Sequence, residues 1–266
     1  MPGLSGMTSG WEAEPVPTRL VHVALEAADP ERLGWFWANV LGWRASAVPD
    51  GSVMVRPAGW RSPGPGPLPL LLVPADGPKT ERNRLHLALP AASAAHHRDE
   101  VKRVIGLGAA PADIGQGDVP WDVLADPEGN EFCVLDPRPG RCADTGPVAS
   151  VVIGCADPAA EAAFWSQAIG WRRSPSGRSG AGEHLVALRD EQASGPYLEL
   201  LRDAGAASGG HRARLDLAPG AGEDQDAALA DLLAAGARPS DSGQPAAAWY
   251  LLADPEGTEF RVLASR

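Results

Sequence analysis

The sequence predicts an α+β protein of two similar domains, built from four β-α-β-β-β units in all. Three observations predict this fold class. Landmark residues recur at a constant offset, apolar strand-like runs alternate with amphipathic helix-like runs, and one hairpin turn ends each copy. A chain of 266 residues is long enough for two domains of ordinary size.

The internal repeat has a constant offset along the whole chain. Asp-Pro pairs begin at Asp29 and Asp157 (157 − 29 = 128), and Asp-Pro-Glu-Gly turns begin at Asp126 and Asp254 with the same separation of 128. A constant offset between distant landmarks indicates two copies of one domain with few net insertions.

The composition of the chain predicts the segment boundaries. A loose tail rich in Gly, Ser and Pro is predicted at 1–17, and a Pro/Gly-rich linker at 138–147. The first domain then spans 18–137 and the second spans 148–266. Each domain holds two of the four units.

Local signals predict each element of the first copy. Residues 20–25 form a short apolar strand. Asp29 is suited to cap a helix that has Pro30 in its first turn, runs to about Leu41 and stops at Gly42. The other predicted elements are strands at 43–48, 52–56, 68–73, 84–89, 109–114, 119–125 and 131–135 and a helix at 97–107. The second copy follows the same plan.

Charge and composition limit the classes of partner. The net charge of −11 disfavours nucleic acid and anionic membranes, which need a positive face. No apolar run approaches the ~18 residues of a membrane span, and the first 17 residues lack the pattern of a signal peptide. Cys133, Cys142 and Cys155 match neither a disulfide framework nor a Cys-x-x-Cys metal site. We expect a cytoplasmic monomer or homodimer whose partner is a small molecule.

The order of these motifs resembles a known superfamily. A strand, Asp-Pro, a helix with Phe-Trp and Leu-Gly-Trp, then Arg-Leu-His-Leu and Asp-Pro-Glu-Gly-Asn-Glu-Phe are similar to the vicinal oxygen chelate proteins. These include lactoylglutathione lyase, bleomycin-resistance proteins, fosfomycin-modifying enzymes and extradiol dioxygenases. The resemblance implies two cupped, mixed-sheet, glyoxalase-like domains, with metal ligands on the first and last strands of each unit.

The resemblance also implies a metal site in the first domain. Side chains alternate along a strand, so His22, His86 and Glu131 lie opposite apolar neighbours and are expected to face the cup together. They match the family's metal positions, while the remaining position falls near Leu71, which cannot bind metal. This set suits a divalent ion (Fe, Mn, Zn or Ni) in a lyase, thiol transferase or dioxygenase. No general base is evident.

The second copy departs from the metal-binding pattern. Arg214 stands where the first copy has His86, so we expect it to pair with Glu199 or Glu259 or to hold an anionic ligand. Ser150 replaces His22, and this copy is expected to be free of metal. The expected substrate-binding residues of the two copies are Arg84, Trp121, Glu199, Arg214, Trp249 and Glu259.

A second function remains open from the sequence. The alternative to a metal-dependent enzyme is a metal-free protein that sequesters an aromatic or hydrophobic compound, as bleomycin-resistance proteins do. The acidic surface would suit a cationic ligand, and the tryptophans Trp121 and Trp249 would then matter more than the histidines. The long loop at 57–67 is a candidate cover for the cup.

Overall fold

The structure is a computed structural model. It describes residues 18–60, 66–137, 142, 144–175, 184–191, 195–203, 212–220, 222–240 and 249–264. The predicted tail at 1–17 lies outside the described residues, as do parts of the predicted linker and of the loop at 57–67. Within the described ranges, no helix combines the length and the apolar character that crossing a bilayer requires.

The two halves contain the same order of elements. The first half comprises β1 (Arg19–Ala27), α1 (Pro30–Leu41), β2 (Arg44–Ala47), β3 (Val53–Arg56), β4 (Leu70–Pro74), β5 (Leu85–Leu89), α2 (Ala94–Gly106), β6 (Ala110–Pro111), β7 (Asp122–Ala125) and β8 (Glu131–Val134). The second half comprises β9 (Ser150–Cys155), α3 (Pro158–Ile169), β10 (Arg172–Arg173), β11 (Leu185–Arg189), β12 (Tyr197–Arg202), β13 (Ala213–Ala218), α4 (Gln225–Ala234), β14 (Arg238–Pro239), β15 (Trp249–Ala253) and β16 (Glu259–Leu263).

The helix caps follow from the sequence, with one earlier start. The Asp29 side chain accepts a hydrogen bond from the Arg32 amide, and α1 ends at Gly42 in the left-handed conformation with φ of 66°. The second helix begins at Ala94, three residues before the predicted 97, because the Ser93 hydroxyl accepts from the His96 amide at 3.1 Å.

The sixth strand is shorter than predicted and gives way to a loop. It covers Ala110–Pro111 instead of 109–114. Beyond it, the amide of Ile114 donates to the Gln116 side chain at 2.7 Å and the amide of Gly115 donates to Asp113 at 2.9 Å. The amide of Ala112 still donates to the Val123 carbonyl at 3.0 Å, but after it the local bonds of Ile114 and Gly115 replace strand pairing. Residues 112–121 therefore form a covering loop.

The strands form two mixed eight-stranded sheets. Sheet I has the order β14-β15-β16-β13-β1-β4-β3-β2, and sheet II has the order β10-β11-β12-β9-β5-β8-β7-β6. Antiparallel pairing of β1 with β13 joins the halves of sheet I, and pairing of β5 with β9 joins those of sheet II. The predicted fold class, four β-α-β-β-β units in two α+β domains with mixed sheets, is confirmed.

The way in which the units combine differs from the expectation for the site. Sheet I joins the first unit to the fourth, and sheet II joins the second to the third. The two units of one half therefore lie in different sheets. Strand alternation predicts which face of its sheet a residue occupies. It does not predict which strands pair with each other, and therefore not that β1 and β5 lie in different sheets.

The repeated hairpin turn connects the sheets. Between β7 and β8, the Asp126 carboxylate accepts from the Trp37 indole at 3.1 Å. Glu128 accepts from the amides of Ala28 and Asp29 at 2.7 Å each, just before α1. The second copy repeats these bonds with Glu256, Asp254 and Trp165. The acidic residues of this turn thus hold a helix start, where negative charge is stabilising.

Candidate functional site

Each sheet has one face in the main core and one face that lines a cup. In β5, Leu85, Leu87 and Leu89 belong to the main hydrophobic core. Ala88, between them, packs with a separate apolar cluster on the opposite face, and His86 shares that face by alternation. We call the corresponding faces cup I, on sheet I, and cup II, on sheet II.

Cup II contains a cavity of about 240 Å³ under the covering loop 112–121. His86 and Cys133 contribute from the sheet, and Trp121 and Gln116 contribute from the loop. The full lining is Arg82, His86, Ile114, Gly115, Gln116, Val119, Trp121, Cys133, Leu201, Arg202 and Asp203. Both halves of the chain therefore build this cavity.

The lining of this cavity is divided into an apolar and a polar part. Val123, Leu135 and Val152 are buried in the apolar cluster against which Ile114, Trp121 and Leu201 pack. On the polar side, Arg82 forms an ion pair with Asp203, and the exposed residue Arg202 also lines the cavity. Such a division suits a ligand with an apolar body and a polar group.

Two carboxylates on the same sheet face as His86 are already engaged by protein donors. Glu131 pairs with Lys79 and accepts from the Asn83 amide at 3.2 Å. Glu199 accepts from the Ser150 hydroxyl at 3.1 Å. The ammonium group of Lys79 would compete with a divalent ion for Glu131, so this carboxylate does not fit a metal as it is arranged.

The predicted ligand set is not brought together. His22 lies in β1 of sheet I, whereas His86 and Glu131 lie in β5 and β8 of sheet II. The expected convergence in the first domain is therefore wrong, because β1 pairs with β13 and not with β5. Among the described residues, no three His, Cys, Asp or Glu side chains are grouped so that they could hold a metal ion.

Cup I contains a buried polar row that crosses the sheet. His22 pairs in register with Asp216, which pairs in register with Arg261. His22 Nδ1 lies 2.9 Å from Asp216 Oδ2, and Arg261 Nε donates to Asp216 Oδ1 at 2.7 Å. A second guanidinium nitrogen of Arg261 contacts Asp216 Oδ2. Exposed fractions are 2%, 0% and 8% along the row.

The charges in this row hold Asp216 in its ionised form. Burial alone would raise the pKa of its carboxyl group. The charge of His22 and the hydrogen bonds from His22 and Arg261 outweigh burial, so the pKa of Asp216 lies below its ordinary value. In this row the buried carboxylate of Asp216 thus contacts two basic side chains, His22 and Arg261.

The other predicted site residues have the following surroundings. Arg84 donates to the Glu256 carbonyl at 2.9 Å and to the Thr258 hydroxyl at 3.1 Å. Arg214 pairs with Glu26, and Glu199 lies in the other sheet, so the expected Arg214–Glu199 pair is wrong. The Arg261 guanidinium lies 5.5 Å from the Trp249 ring centroid, and Glu259 accepts from the Ser240 hydroxyl at 2.5 Å.

Sequence reasoning missed several residues of the two cups. Asp216 shares a strand face with Arg214, so alternation alone would have found it once its strand was paired with His22. Arg82 and Asp203 flank strands without any periodic signal, and Gln116 lies in the connection between the predicted strands 109–114 and 119–125. For these, the sequence carries no usable indication.

Comparison with known proteins supports the superfamily. A family model described as a glyoxalase-like domain matches residues 22–135 and 150–263. The solved structure of glyoxalase I from Zea mays has 15% sequence identity and a TM-score of 0.60, and the match covers 93% of this chain and 92% of that chain. A putative dioxygenase from Bacillus subtilis subsp. subtilis str. 168 has 13% identity, a TM-score of 0.58, and coverage of 93% and 85%.

These structural neighbours share the vicinal oxygen chelate fold predicted from the sequence motifs. At such low identity, the likeness concerns the fold alone. A search of curated protein sequences found no match.

Proposed function

Because the chain belongs to the glyoxalase-like domain family through both of its halves, we propose that it binds a small molecule in the cavity of cup II without a metal ion. The single observation that carries this proposal is the covered cavity of about 240 Å³ with its divided lining. The cavity lies somewhat below the ~300 Å³ lower end of typical ligand pockets, so it suits a compact ligand.

The apolar part of the cavity favours an aromatic or otherwise flat ligand body. Trp121 offers a ring face or edge, and Ile114 and Leu201 enclose the same space. An aromatic pair contributes about 0.5–1.5 kcal/mol beyond the burial of its area. Trp121 thus keeps the substrate-binding role predicted for it, as part of this proposal.

The polar part favours a ligand that carries a hydrogen-bond acceptor or a negative charge. Arg82, Arg202 and Asp203 are among the residues that line the cavity, and Arg82 forms an ion pair with Asp203. A planar guanidinium suits bidentate binding of a carboxylate. This local excess of positive charge argues against the cationic ligand that the acidic surface suggested.

A metal-dependent reaction is the second candidate, supported by the family and by the positions of His86, Glu131 and Glu199 on one sheet face. A bound divalent ion would polarise oxygen atoms of a substrate. The ion pair of Lys79 with Glu131 and the hydrogen bond of Ser150 to Glu199 argue against a metal site, because both carboxylates already have protein partners.

The test combines metal analysis with ligand binding. Protein purified without a histidine tag is analysed for bound Fe, Mn, Zn and Ni, and binding of benzoate, benzamide and benzylamine is measured by calorimetry. We expect no stoichiometric metal and the tightest binding for benzoate. The change Trp121→Leu should weaken benzoate binding about tenfold, the upper end of the aromatic contribution.

The matched control is Trp35→Leu, because Trp35 is 56% exposed on α1 and lines neither cup. Its benzoate affinity should equal that of the parent protein. One metal ion per chain retained through dialysis would overturn the metal-free proposal. Equal affinity of the Trp121→Leu and parent proteins, or preference for benzylamine, would overturn the assignment of the cavity and its charge.

A further inference from the structure

The second helix of each half is attached to its sheet through one polar side chain. In the first half, Nε2 of His97 on α2 lies 3.2 Å from the Val134 carbonyl oxygen at the end of β8. In the second half, Gln225 on α4 occupies the same repeat position (225 − 97 = 128), and its Nε2 donates to the Val262 carbonyl at 3.2 Å. A neutral donor is therefore sufficient for this attachment, and the first half uses a donor that can also take up a proton.

The first half adds a carboxylate beside this ring. Asp122 Oδ2 lies 3.2 Å from Nε2 of His97, and the exposed fractions of the two side chains are 51% and 16%. The matching position in the second half is Tyr250 (250 − 122 = 128), whose hydroxyl donates to Asp226 at 3.3 Å. The contact between His97 and Asp122 is therefore an addition to a bond that both halves share.

Only the charge of the ring depends on pH, because the hydrogen bond is present in both states. The Val134 carbonyl can only accept, so Nε2 of His97 carries a proton whether the ring is neutral or charged. A second proton binds at Nδ1 and makes the ring positive. Histidine side chains change charge between pH 5 and pH 8, a range in which carboxylates are ionised. The attraction between the ring and Asp122 is thus the interaction that pH controls.

Two titratable neighbours of His97 on α2 are engaged elsewhere. Glu100, three residues further along the helix, forms an ion pair with Arg103. His96 accepts a hydrogen bond from the Ala92 amide at 3.0 Å through Nδ1. His97 also lies near the start of α2, where the helix dipole disfavours a positive charge. The helix itself therefore does not supply the partner that stabilises a charged ring.

The strands beside the ring supply that partner at a defined place. On β8, Glu131 lies at the opposite end of the strand from Val134 and pairs with Lys79. Asp122 is the first residue of β7 and pairs in register with Val134. His97 thus contacts both residues of the pair at which β7 begins.

This pair of residues adjoins the covering loop 112–121. The loop ends at Trp121, directly before Asp122, and Trp121 lines the cavity of cup II. At the base of the loop, the Ala112 amide donates to the Val123 carbonyl at 3.0 Å. A stronger interaction at Asp122 therefore stabilises the closed position of the loop.

We propose that His97 and Asp122 form a pH-dependent anchor for the covering loop. The ion pair needs a charged ring, so its stabilisation is fully present on the acidic side of the histidine titration and is lost as the pH rises. The loop is then held closed more firmly at pH 5.5 than at pH 8. The inference concerns the motion of the loop and does not depend on ligand binding in cup II.

Hydrogen–deuterium exchange of residues 112–121 tests this anchor in the protein without ligand. The rate is measured by mass spectrometry at pH 5.5 and pH 8 in the parent and in His97→Gln, which has the side chain of Gln225 and keeps a donor for Val134. The ratio of variant to parent rate at one pH removes the intrinsic pH dependence of amide exchange. We expect a ratio of about three at pH 5.5, in keeping with a partly exposed ion pair, and equal rates at pH 8.

The change Asp122→Asn removes the other charge and should give the same two ratios. The double variant with His97→Gln should exchange no faster than either single variant, because both changes remove one interaction. The control His184→Gln alters an exposed histidine of the second half and should match the parent at both pH values.

A hydrogen-bonding role without the ion pair would give the same ratio for His97→Gln at pH 5.5 and pH 8, and this result would overturn the proposal. Parental exchange in Asp122→Asn at pH 5.5 would also overturn it. The parent protein provides a test that needs no variant, because about 0.5 M sodium chloride screens a partly exposed ion pair. Salt should speed loop exchange at pH 5.5 and not at pH 8, and an equal effect of salt at both would refute the anchor.

Discussion

A buried glutamate is predicted to reduce the stability of this protein at neutral pH. Glu161 on α3 is fully buried and accepts from the Glu256 amide at 3.1 Å. Burial, followed by the negative charge of Asp254, raises the pKa of Glu161 from 4.5 to about 9. The same position in the first half holds Leu33, which is also fully buried.

The sign and size of the effect follow from proton linkage. Between pH 4.5 and about 9, the folded protein holds a proton on Glu161 that the unfolded chain has lost. The free energy of unfolding therefore falls by up to ~1.4 kcal/mol per pH unit across this window. From pH 4.5 to pH 7 the loss is about 3 kcal/mol.

Urea denaturation at pH 5.5, 7 and 8.5 measures this effect in the parent, Glu161→Gln and Glu161→Leu proteins. The difference between parent and glutamine variant isolates Glu161 from other titrating groups. We expect the leucine variant to be more stable than the parent at pH 7 by a few kcal/mol, with the gap growing at pH 8.5. The reverse change Leu33→Glu in the first half should destabilise. Parallel pH profiles for parent and Glu161→Gln would refute the reasoning.

Two further stability predictions use matched positions. Gly34→Ala would place a Cβ 2.6 Å from a Val53 methyl group, so we expect urea denaturation to show a free energy of unfolding lower by about 1–3 kcal/mol. In Gly106→Ala the new Cβ meets no atom within 4 Å, and the free energy of unfolding should rise by about 0.5–1 kcal/mol. A comparable loss in both variants would contradict the steric account. Glu128→Ala removes the carboxylate whose two oxygens accept hydrogen bonds just before α1, and it should lower the free energy of unfolding by about 1–2 kcal/mol. Glu256→Ala should cause a similar loss before α3. An unchanged thermal unfolding temperature in either variant would contradict the role at the helix start.

Local order was predictable because its causes are local. The α1 helix has its cap, its proline and its terminal glycine within one stretch of sequence, so its bounds follow from the residues themselves. The turn at Asp126 carries its own hydrogen bonds, with the Asp126 carboxylate accepting from the amides of Glu128 and Asn130 at 2.9 Å each. The repeat offset then extended each inference to the second half.

For the candidate sites, the sequence predicted only which face of its sheet each residue occupies. Alternation placed His86 correctly, since its neighbours Leu85 and Leu87 both lie in the main core. It holds less well for His22, because β1 has a register shift between Leu20 and His22 and Val21 packs in a separate cluster with Leu263. The distance between the two histidines depends on which strands pair, and β1 and β5 have similar neighbours, so sequence does not decide between partners. The covering loop at 112–121 depends on side-chain to backbone bonds of Gln116 and Asp113, which compete closely with a strand.

The pairing of β1 with β13 and of β5 with β9 joins the two halves of the chain in both sheets, which matters for the evolution and the engineering of this protein. Neither half contains a complete sheet, so a chain cut between the halves would rebuild sheet I or sheet II only if the two pieces reassociated. A half expressed alone carries two open central strand edges, which invites self-pairing into a symmetric dimer with twin interiors. Covalent fusion removes that symmetry, and it allows each interior to evolve toward a separate chemical task.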